Sequence, residues 1–466
     1  MKTELKKTIR ITSAILTSLL VITTVSGCSL KKTPVATAPK VITIWGFESE
    51  DLWQPTLKNP EFLKSIAGFQ VKYTQKTLTD SYENDALNSI LSGQGPDVWA
   101  IPNDWVYRHK DKLSPASPDT IKAFDLANNF VPSILENNII NNNVYGFSPG
   151  VDSIMLYYNP SVLDQAYTEY LKNQPIRSQD ESEAHYKARA DVLAFDQTKS
   201  LISTPQSTWA KFIEAVKLIT KKDNNGNINV SGFAAGTTSN TTYATDIIYS
   251  LMLQNKVKMI SDDMSLATFN LPTGTASGES DISGKYVLDF YTQFANPASP
   301  YYSWNNSMGN NLDLFATGKV AYILAPGSTA NYFSQKFPNF SYKYTEIPQI
   351  SDSSENDVTY ARFYSYVVPN RSIYPVQSWI VAASAPRNST TQEGSKTNKT
   401  DVVTKENVRR YQANVSHIWT KGRYPKDVDQ IFKTAVDSVQ SGQQSSENAI
   451  NTAATKVTEL LRKSEW

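Results

Sequence analysis

The amino-acid sequence predicts an α/β protein in which one connecting stretch joins two lobes. Predicted strands and helices alternate both before and after residues 144–164, VYGFSPGVDSIMLYYNPSVLD. Gly146, Pro149 and Gly150 mark the start of this stretch, because glycine admits backbone angles that other residues avoid and proline fixes one. The stretch is therefore interpreted as the passage from one lobe to the other.

The middle of the connecting stretch predicts a strand beside a cleft. The apolar run Ser153–Tyr158 is typical of a strand, which the turn signal Asn159-Pro160 ends. If two compact lobes meet at Val151 and Asp152, a cleft lies between them. Clefts between domains commonly bind small ligands.

Residues 41–150 alternate between predicted strands and helices. Helix 82–91 has apolar residues at helical spacing, and Gly95-Pro96 ends it. Trp45-Gly46-Phe47-Glu48 and Pro102-Asn103-Asp104-Trp105 each follow a strand, where α/β folds place ligand contacts. The predicted strands are 41–44, 70–74 and 97–101, and the predicted helices are 62–69, 82–91 and 126–138.

The second half begins with a charged, glycine-free segment. Residues 165–199 predict a helical insertion, because Glu181–Phe195 strongly favours helix. Ser207 or Thr208 is available to cap the helix that follows. Its predicted apolar face consists of Trp209, Phe212, Ile213, Val216 and Ile219.

The polar segment Asp223–Asn227 has two interpretations. A hairpin turn is favoured, because Asn-Gly supplies the positive backbone angles of such turns. A calcium loop is the alternative, but its first and twelfth positions would be Lys221 and Gly232 rather than acidic ligands.

The remaining chain returns to alternating elements and ends in helices. Tyr301–Asn306 predicts a loop with aromatic and amide side chains, and Ala383–Val408 is polar enough to predict an exposed loop. The predicted strands are 320–324, 342–347 and 360–368, and the predicted helices are 243–254, 286–294, 428–439 and 446–461.

Composition excludes some classes of function. The 466 residues include 45 basic and 44 acidic side chains, so the net charge of +1 does not indicate a nucleic-acid-binding protein. The content of 25 Tyr, 18 Phe and 9 Trp is frequent in secreted carbohydrate-handling proteins, although core packing uses most aromatic residues.

The sequence lacks the common catalytic and cofactor motifs. Its histidines, at positions 109, 185 and 417, are not spaced as a metal pair. It has no His-Glu-x-x-His, Gly-x-Ser-x-Gly or phosphate-loop motif, so neither a metal nor a cofactor is predicted. A catalytic carboxylate pair stays open, because sequence does not reveal how far apart two carboxylates lie in space.

The N-terminus predicts export and a lipid anchor. A basic region with Lys2 and Arg10 precedes the apolar run Ile11–Val25, which has the length of a signal peptide. Val25-Ser26-Gly27-Cys28 resembles the lipobox of bacterial lipoproteins, so residues 1–27 would be removed and Cys28 lipidated. Residues 28–40 would then be a tether, and the single cysteine excludes an intramolecular disulfide. An ordinary signal peptide or a short membrane anchor is the alternative.

Five stretches, taken in order, carry a family resemblance. They are LNSILSGQGPDVW at 87–99, the connecting stretch at 144–163, Thr204-Pro205 with Thr208-Trp209, FATGKVAYILAPGS at 315–328, and the closing helices within 431–461. Together they resemble the extracellular solute-binding proteins of ABC importers, family 1, of the maltose-binding type. The spacing before Thr208-Trp209 is one residue longer than is usual in that family.

The resemblance implies a two-lobed periplasmic-binding-protein fold of class II, with a mixed β-sheet flanked by helices in each lobe and crossing hinge strands. Lobe 1 would hold residues 41–151 and 360–410, and lobe 2 would hold 152–359 and 411–466. The insertion at 165–200 and the polar stretch at 383–408 depart from the family pattern, so the lobe borders stay open.

The resemblance also implies a function. The chain would be a monomeric, non-enzymatic lipoprotein on the outer face of the cell membrane. It would capture a solute, most simply a mono- or oligosaccharide, close by a hinge motion and deliver the solute to permease subunits.

Within that frame, the chemistry of sugars selects candidate contacts. Sugars offer apolar faces for aromatic stacking and hydroxyls for carboxylates and amides. The predicted contacts from the first lobe and the crossing are Trp45, Phe47, Glu48, Asp104, Trp105 and Asp152. Those from the second lobe and the return hinge are Trp304, Asn305, Gly327, Ser328, Arg362 and Tyr364. A tryptophan in a loop is as often a packing residue as a sugar platform, and Trp99 and Trp209 are assigned to the core.

Two other classes of function stay open. A secreted glycan hydrolase would need two carboxylates facing each other across the cleft and would consume its substrate. An adhesin or sensor partner of the same fold would bind a ligand without any permease.

Overall fold

The computed structural model describes residues 40–119, 130–274, 280–281, 283–387 and 405–463. The predicted signal peptide, Cys28 and most of the polar stretch at 383–408 lie outside these residues. The strands are β1 (Lys40–Gly46), β2 (Phe69–Gln75), β3 (Val98–Pro102), β4 (Ile139–Ile140), β5 (Asn143–Val144), β6 (Asp152–Tyr158), β7 (Lys221–Lys222), β8 (Ile228–Phe233), β9 (Thr273–Gly274), β10 (Ser280–Asp281), β11 (Val320–Pro326), β12 (Lys343–Thr345), β13 (Thr359–Arg362), β14 (Tyr364–Val367) and β15 (Ser416–His417).

The helices of the described residues lie between these strands and after them. They are α1 (Glu50–Leu57), α2 (Pro60–Ser65), α3 (Tyr82–Leu91), α4 (Asn103–His109), α5 (Pro132–Asn138), α6 (Pro160–Leu171), α7 (Glu183–Ala188), α8 (Ala190–Ser203), α9 (Trp209–Ile219), α10 (Ala244–Gln254), α11 (Ser283–Gln293), α12 (Asn311–Ala316), α13 (Thr329–Lys336), α14 (Pro375–Ala383), α15 (Lys405–Asn414), α16 (Pro425–Gln440) and α17 (Ser446–Arg462). Among the described residues, no helix is long and apolar enough to cross a membrane.

The first sheet has the strand order β14-β3-β1-β2. Strand β1 is parallel to both β2 and β3, and β14 is antiparallel to β3. Alternate side chains of β1 point into the core, so Ile42 and Ile44 are buried while Val41 is exposed. Ile42 and Ile44 share one core cluster with Ile134 of α5, which therefore packs on this sheet.

The second sheet has the order β15-β13-β6-β11-β8-β7, and β12 also pairs with β6. Every residue of β11 is buried, because this strand lies between β6 and β8 and is covered on both faces. Helices α9, α10, α16 and α17 contribute to the same core cluster as Leu156 and Phe233.

Two neighbouring antiparallel segments cross from one sheet to the other. Phe147 pairs with Tyr366 beside the first sheet, and Asp152 pairs with Arg362 within the second. The predicted strand at 360–368 is in fact interrupted at Phe363. Its flanking strands have different partners, since β13 pairs with β6 whereas β14 pairs with β3. These crossing strands and two sheets confirm the predicted two-lobed α/β architecture.

Other local predictions have mixed outcomes. The segment at 223–227 is a hairpin turn between β7 and β8, with Gly226 at φ +83°. The helical insertion is present as α7 and α8 together with most of α6. Of the two predicted cap residues, Thr208 occupies the N-cap position of α9, but its side chain makes no capping hydrogen bond. The Ser207 hydroxyl instead donates to Asp352 Oδ1 at 2.7 Å.

Some boundaries and elements escaped the sequence analysis. The helix predicted at 62–69 ends at Ser65, because Gly68 adopts φ +86° before β2 begins. Helix α1 was missed, since Pro55 lies inside it. The core assignments of Trp99 and Trp209 are confirmed, as both are almost completely buried.

Candidate functional site

The ends of several strands converge where the two segments cross. Strand β3 ends at Pro102 opposite Tyr364, and β11 ends at Pro326 opposite Ile154, just beyond Asp152. Loops at the carboxyl ends of strands are where α/β proteins bind ligands. The convergence therefore defines a candidate site between the sheets.

An aromatic pair lines the side of the first sheet. The ring centroids of Phe47 and Tyr364 lie 4.5 Å apart, and the Tyr364 residue is 38% exposed. A tyrosine hydroxyl is protonated at neutral pH and can donate a hydrogen bond, and burial raises the pKa of Tyr364 further. Next to this pair, the Glu48 carboxylate accepts a short hydrogen bond from the Tyr366 hydroxyl. An exposed ring edged by a fixed carboxylate suits a ligand with both apolar and hydroxyl surfaces.

A carboxylate and a loop lie on the side of the second sheet. The Ser328 amide donates to Asp152 Oδ1 at 3.1 Å and to Oδ2 at 3.3 Å. Burial raises the pKa of Asp152, although the hydrogen bonds from Ser328 and the charge of Arg409 act in the opposite direction. Gly327 permits this approach, since a Cβ there would lie 2.8 Å from Met155 Cε and 3.1 Å from Asp152 Oδ1.

Arg362 provides an accessible cation next to these groups. Its side chain is 47% exposed, and Nη1 lies 3.3 Å from Oδ2 of Asp246, whose side chain is only 4% exposed. The guanidinium carbon is 5.9 Å from the centroid of the Tyr243 ring. The carboxylate of Asp246 raises the pKa of Arg362, whereas burial raises the pKa of Asp246. Arg362 is thus held from one side and open to a ligand on the other.

Asp104 belongs to a buried charge cluster. Lys421 Nζ lies 3.2 Å from Asp104 Oδ2 and 2.8 Å from Asp429 Oδ1. The Tyr249 hydroxyl donates to Asp429 Oδ1 at 2.6 Å. Burial alone would lower the pKa of Lys421, but the negative charges of Asp104 and Asp429 outweigh it and raise that pKa well above its usual value. Asp104 is 22% exposed in its side chain, so it is a partly accessible member of the cluster.

Of the predicted contacts, Trp304 and Asn305 have hydrogen-bond partners within the protein. Trp304 is fully buried, and its indole nitrogen donates to Asn240 Oδ1 at 2.9 Å and to Thr237 Oγ1 at 3.1 Å. Asn305 Oδ1 accepts from the Ser307 amide at 3.0 Å. Trp304 therefore packs in a core rather than presenting a ring on the loop.

The rings of Trp45 and Trp105 are each in contact with another side chain of the protein. Trp105 is 5% exposed and stacks on Tyr82 with a centroid distance of 6.4 Å. Trp45 is partly buried, and Lys76 Nζ lies 3.8 Å from its ring centroid. The structure thus gathers eight predicted contacts near the crossing: Phe47, Glu48, Asp104, Asp152, Gly327, Ser328, Arg362 and Tyr364.

Sequence reasoning missed two charged residues near the site, Asp246 and Lys421. Asp246 lies in the first turn of α10, and Lys421 lies in a short loop before α16. Their partners are remote in the sequence, so no local motif indicates them. Within the described residues, no group of three or more His, Cys, Asp or Glu side chains is placed to hold a metal ion.

Comparison with known proteins identifies the family. The profile of a family described as bacterial extracellular solute-binding protein matches residues 61–396, more than half of the chain. The chain belongs to this family. This membership confirms the resemblance that the sequence motifs carry, and solute-binding proteins of this family are carriers rather than enzymes. No curated protein matches this solute-binding protein.

Solved structures support the fold of this solute-binding protein. The cyclic α-maltosyl-1,6-maltose binding protein from Arthrobacter globiformis has a TM-score of 0.64 at 14% identity, covering 91% of this chain and 100% of that one. The sugar-binding protein MalE from Xanthomonas citri has a TM-score of 0.64 at 15% identity, covering 91% and 97%. A solute-binding protein from Thermotoga lettingae bound with α-D-tagatose has a TM-score of 0.56 at 18% identity, covering 91% and 100%.

Proposed function

We propose that this solute-binding protein captures a neutral saccharide in the cleft at the crossing strands and delivers it to an ABC permease in the membrane. One observation carries the proposal: the exposed ring of Tyr364, which packs on the half-buried Phe47, lies near the charged groups of Arg362 and Asp152, and Asp152 accepts from the Ser328 amide. An apolar ring beside fixed donors and acceptors matches the two kinds of surface that a sugar presents. The sugar ligands of the similar solved structures support the same class.

The pairing of charges in the cleft supports a neutral ligand. Arg362 already faces Asp246, and Lys421 faces Asp104 and Asp429. An anionic ligand would have to compete with carboxylates for these cations, and it would meet the carboxylate of Asp152 nearby. Phosphate esters and sugar acids are therefore disfavoured.

The proposal includes the organisation of the whole chain. Lobe 1 comprises residues 41–151 and 360–410, and lobe 2 comprises 152–359 and 411–466. Cys28 carries a lipid that anchors the monomer to the outer face of the cell membrane, and residues 28–40 form the tether. The lipobox residues Val25-Ser26-Gly27 before Cys28 support this anchor.

A ligand screen tests the proposed function. The fragment from residue 40 onward is heated with neutral mono- and oligosaccharides, sugar acids, sugar phosphates, polyamines and amino acids, because a ligand that binds only the folded state raises the melting temperature. A shift with a neutral saccharide, with no product after long incubation, is the expected result. A shift with only a polyamine or a sugar phosphate would contradict the ligand class, and consumption of a glycan would establish the hydrolase instead.

A further inference from the structure

Lys421 is a buried cation that a sugar-binding role by itself does not require. The residue is only 4% exposed, and it lies between α15 and α16. Gly422 follows it at φ +70°, in a region that residues with a Cβ rarely adopt. The position directly after Lys421 thus favours glycine.

The partners of Lys421 come from opposite sides of the cleft. Asp104 belongs to α4, which directly follows β3 of the first sheet. Asp429 belongs to α16, whose residues Val428 and Phe432 lie in the core cluster of the second sheet. One ammonium group therefore links a helix of each sheet.

Neighbouring residues of the same segment make the same kind of link. The hydroxyl oxygens of Ser416 and Ser133 lie 2.7 Å apart, and His417 Nδ1 lies 2.6 Å from Glu136 Oε1. Ser133 and Glu136 belong to α5, which packs on the first sheet, whereas Ser416 pairs with Thr359 in the second. The segment carrying Lys421 thus already spans the two sheets.

We propose that Lys421 is a positioning residue of the cleft, which fixes the carboxylate of Asp104 and latches α4 to α16. Separating α4 or α16 from Lys421 would leave the buried ammonium with one carboxylate instead of two, so each separation carries an electrostatic cost. The latch limits the angle between the two sheets and keeps Asp104 oriented for a ligand. Only the second effect rests on the proposed function.

Small-angle X-ray scattering of the ligand-free protein tests the latch. Lys421→Met removes the charge but keeps much of the side-chain length, and Lys421→Arg keeps the charge. Lys456→Met, at an exposed position of α17, is the matched control. The Lys421→Met variant is expected to have a larger radius of gyration than the wild type, while Lys421→Arg and Lys456→Met stay close to it. Equal radii for Lys421→Met and wild type, with both folded by circular dichroism, would overturn the latch.

A second variant covers the case in which Lys421→Met does not fold. Asp429→Asn removes one ionic partner of Lys421 while leaving Asp104 in place, and it is expected to enlarge the radius of gyration in the same direction. An unchanged radius for folded Asp429→Asn would then overturn the proposal.

Ligand affinity tests the positioning role separately. If a saccharide binds the wild type, Lys421→Met is expected to weaken that binding about tenfold, within the usual range of coupling between sites, and Lys421→Arg to restore most of it. Wild-type affinity in Lys421→Met would overturn the positioning of Asp104. If no saccharide binds the wild type, the proposed function fails, whereas the scattering comparison still decides the latch.

Discussion

The ring centroids of Phe47 and Tyr364 lie 4.5 Å apart, although Phe47 follows the first strand and Tyr364 begins β14, the last strand of the first sheet along the chain. The contact exists because β14 returns to pair with β3, which places Tyr364 opposite Pro102. It joins the first and last parts of the first sheet at the edge of the cleft.

Replacing Tyr364 tests whether this pair is a sugar platform. Tyr364→Ala is expected to weaken saccharide binding by about 0.5–1.5 kcal/mol, the usual value of an aromatic contact beyond its buried area. Tyr364→Phe keeps the ring and is expected to bind more tightly than Tyr364→Ala. Isothermal titration calorimetry measures both affinities. Equal affinity for Tyr364→Ala and wild type would place the ligand elsewhere.

Breaking the Arg362–Asp246 ion pair is expected to lower the stability of the protein. Arg362→Gln leaves the buried carboxylate of Asp246 without its nearest cation, so the free energy of unfolding is expected to fall by about 1–3 kcal/mol. Urea denaturation measures the change. The double variant Arg362→Gln with Asp246→Asn removes both charges and is expected to recover part of the loss. A double variant less stable than the sum of the single variants would contradict the direct coupling of the two side chains.

Replacing Trp304 is expected to lower the stability of the protein without a specific loss of ligand binding. Trp304→Ala is expected to lower the free energy of unfolding by about 3–5 kcal/mol, because it empties a fully buried site. Trp304→Phe keeps most of the volume but loses the indole hydrogen bonds to Asn240 and Thr237. Thermal denaturation and calorimetry are measured on the same samples. A folded Trp304→Phe variant with strongly reduced sugar affinity would show that the indole has a role in the ligand site.

The Glu136–His417 pair predicts a pH dependence of stability. The hydrogen bond between His417 and Glu136 raises the pKa of His417 above its usual value. A raised folded-state pKa contributes stability that is complete below the unfolded-state pKa of about 6.5 and is lost as the pH rises through the folded-state pKa. Both side chains are 38% exposed, so solvent screening limits the contribution to about 0.2–1 kcal/mol.

Chemical denaturation at several pH values measures this dependence. The wild type is expected to be more stable than His417→Gln in mildly acidic buffer, and the difference is expected to vanish in alkaline buffer. His185→Gln, which removes an exposed histidine from α7, is the matched control. A stability difference between wild type and His417→Gln that grows with pH would reverse the assigned direction of the pKa shift.

Local sequence signals determined the elements and the class of the fold. The apolar run at 153–158, the helical spacing at 82–91 and the Asn-Gly turn at 226 are each set by neighbouring residues, and the structure confirms all three. The order of motifs along the chain also indicated the family, because each motif marks a particular combination of strand, turn and helix. Candidate ligand contacts at strand ends follow from the same logic, and eight of them lie near the crossing.

Only the tertiary structure decided which aromatic side chains face the cleft and which charges meet there. The sequence offered Trp304 and Tyr364 alike as ligand contacts. In the structure Trp304 is buried and donates to Asn240 and Thr237, whereas Tyr364 is exposed. Lys421 forms its ion pairs with Asp104 and Asp429 only because two separate helices place these carboxylates beside it. Periodicity reports which face of an element is apolar, whereas burial and ion pairing depend on how remote elements pack against each other.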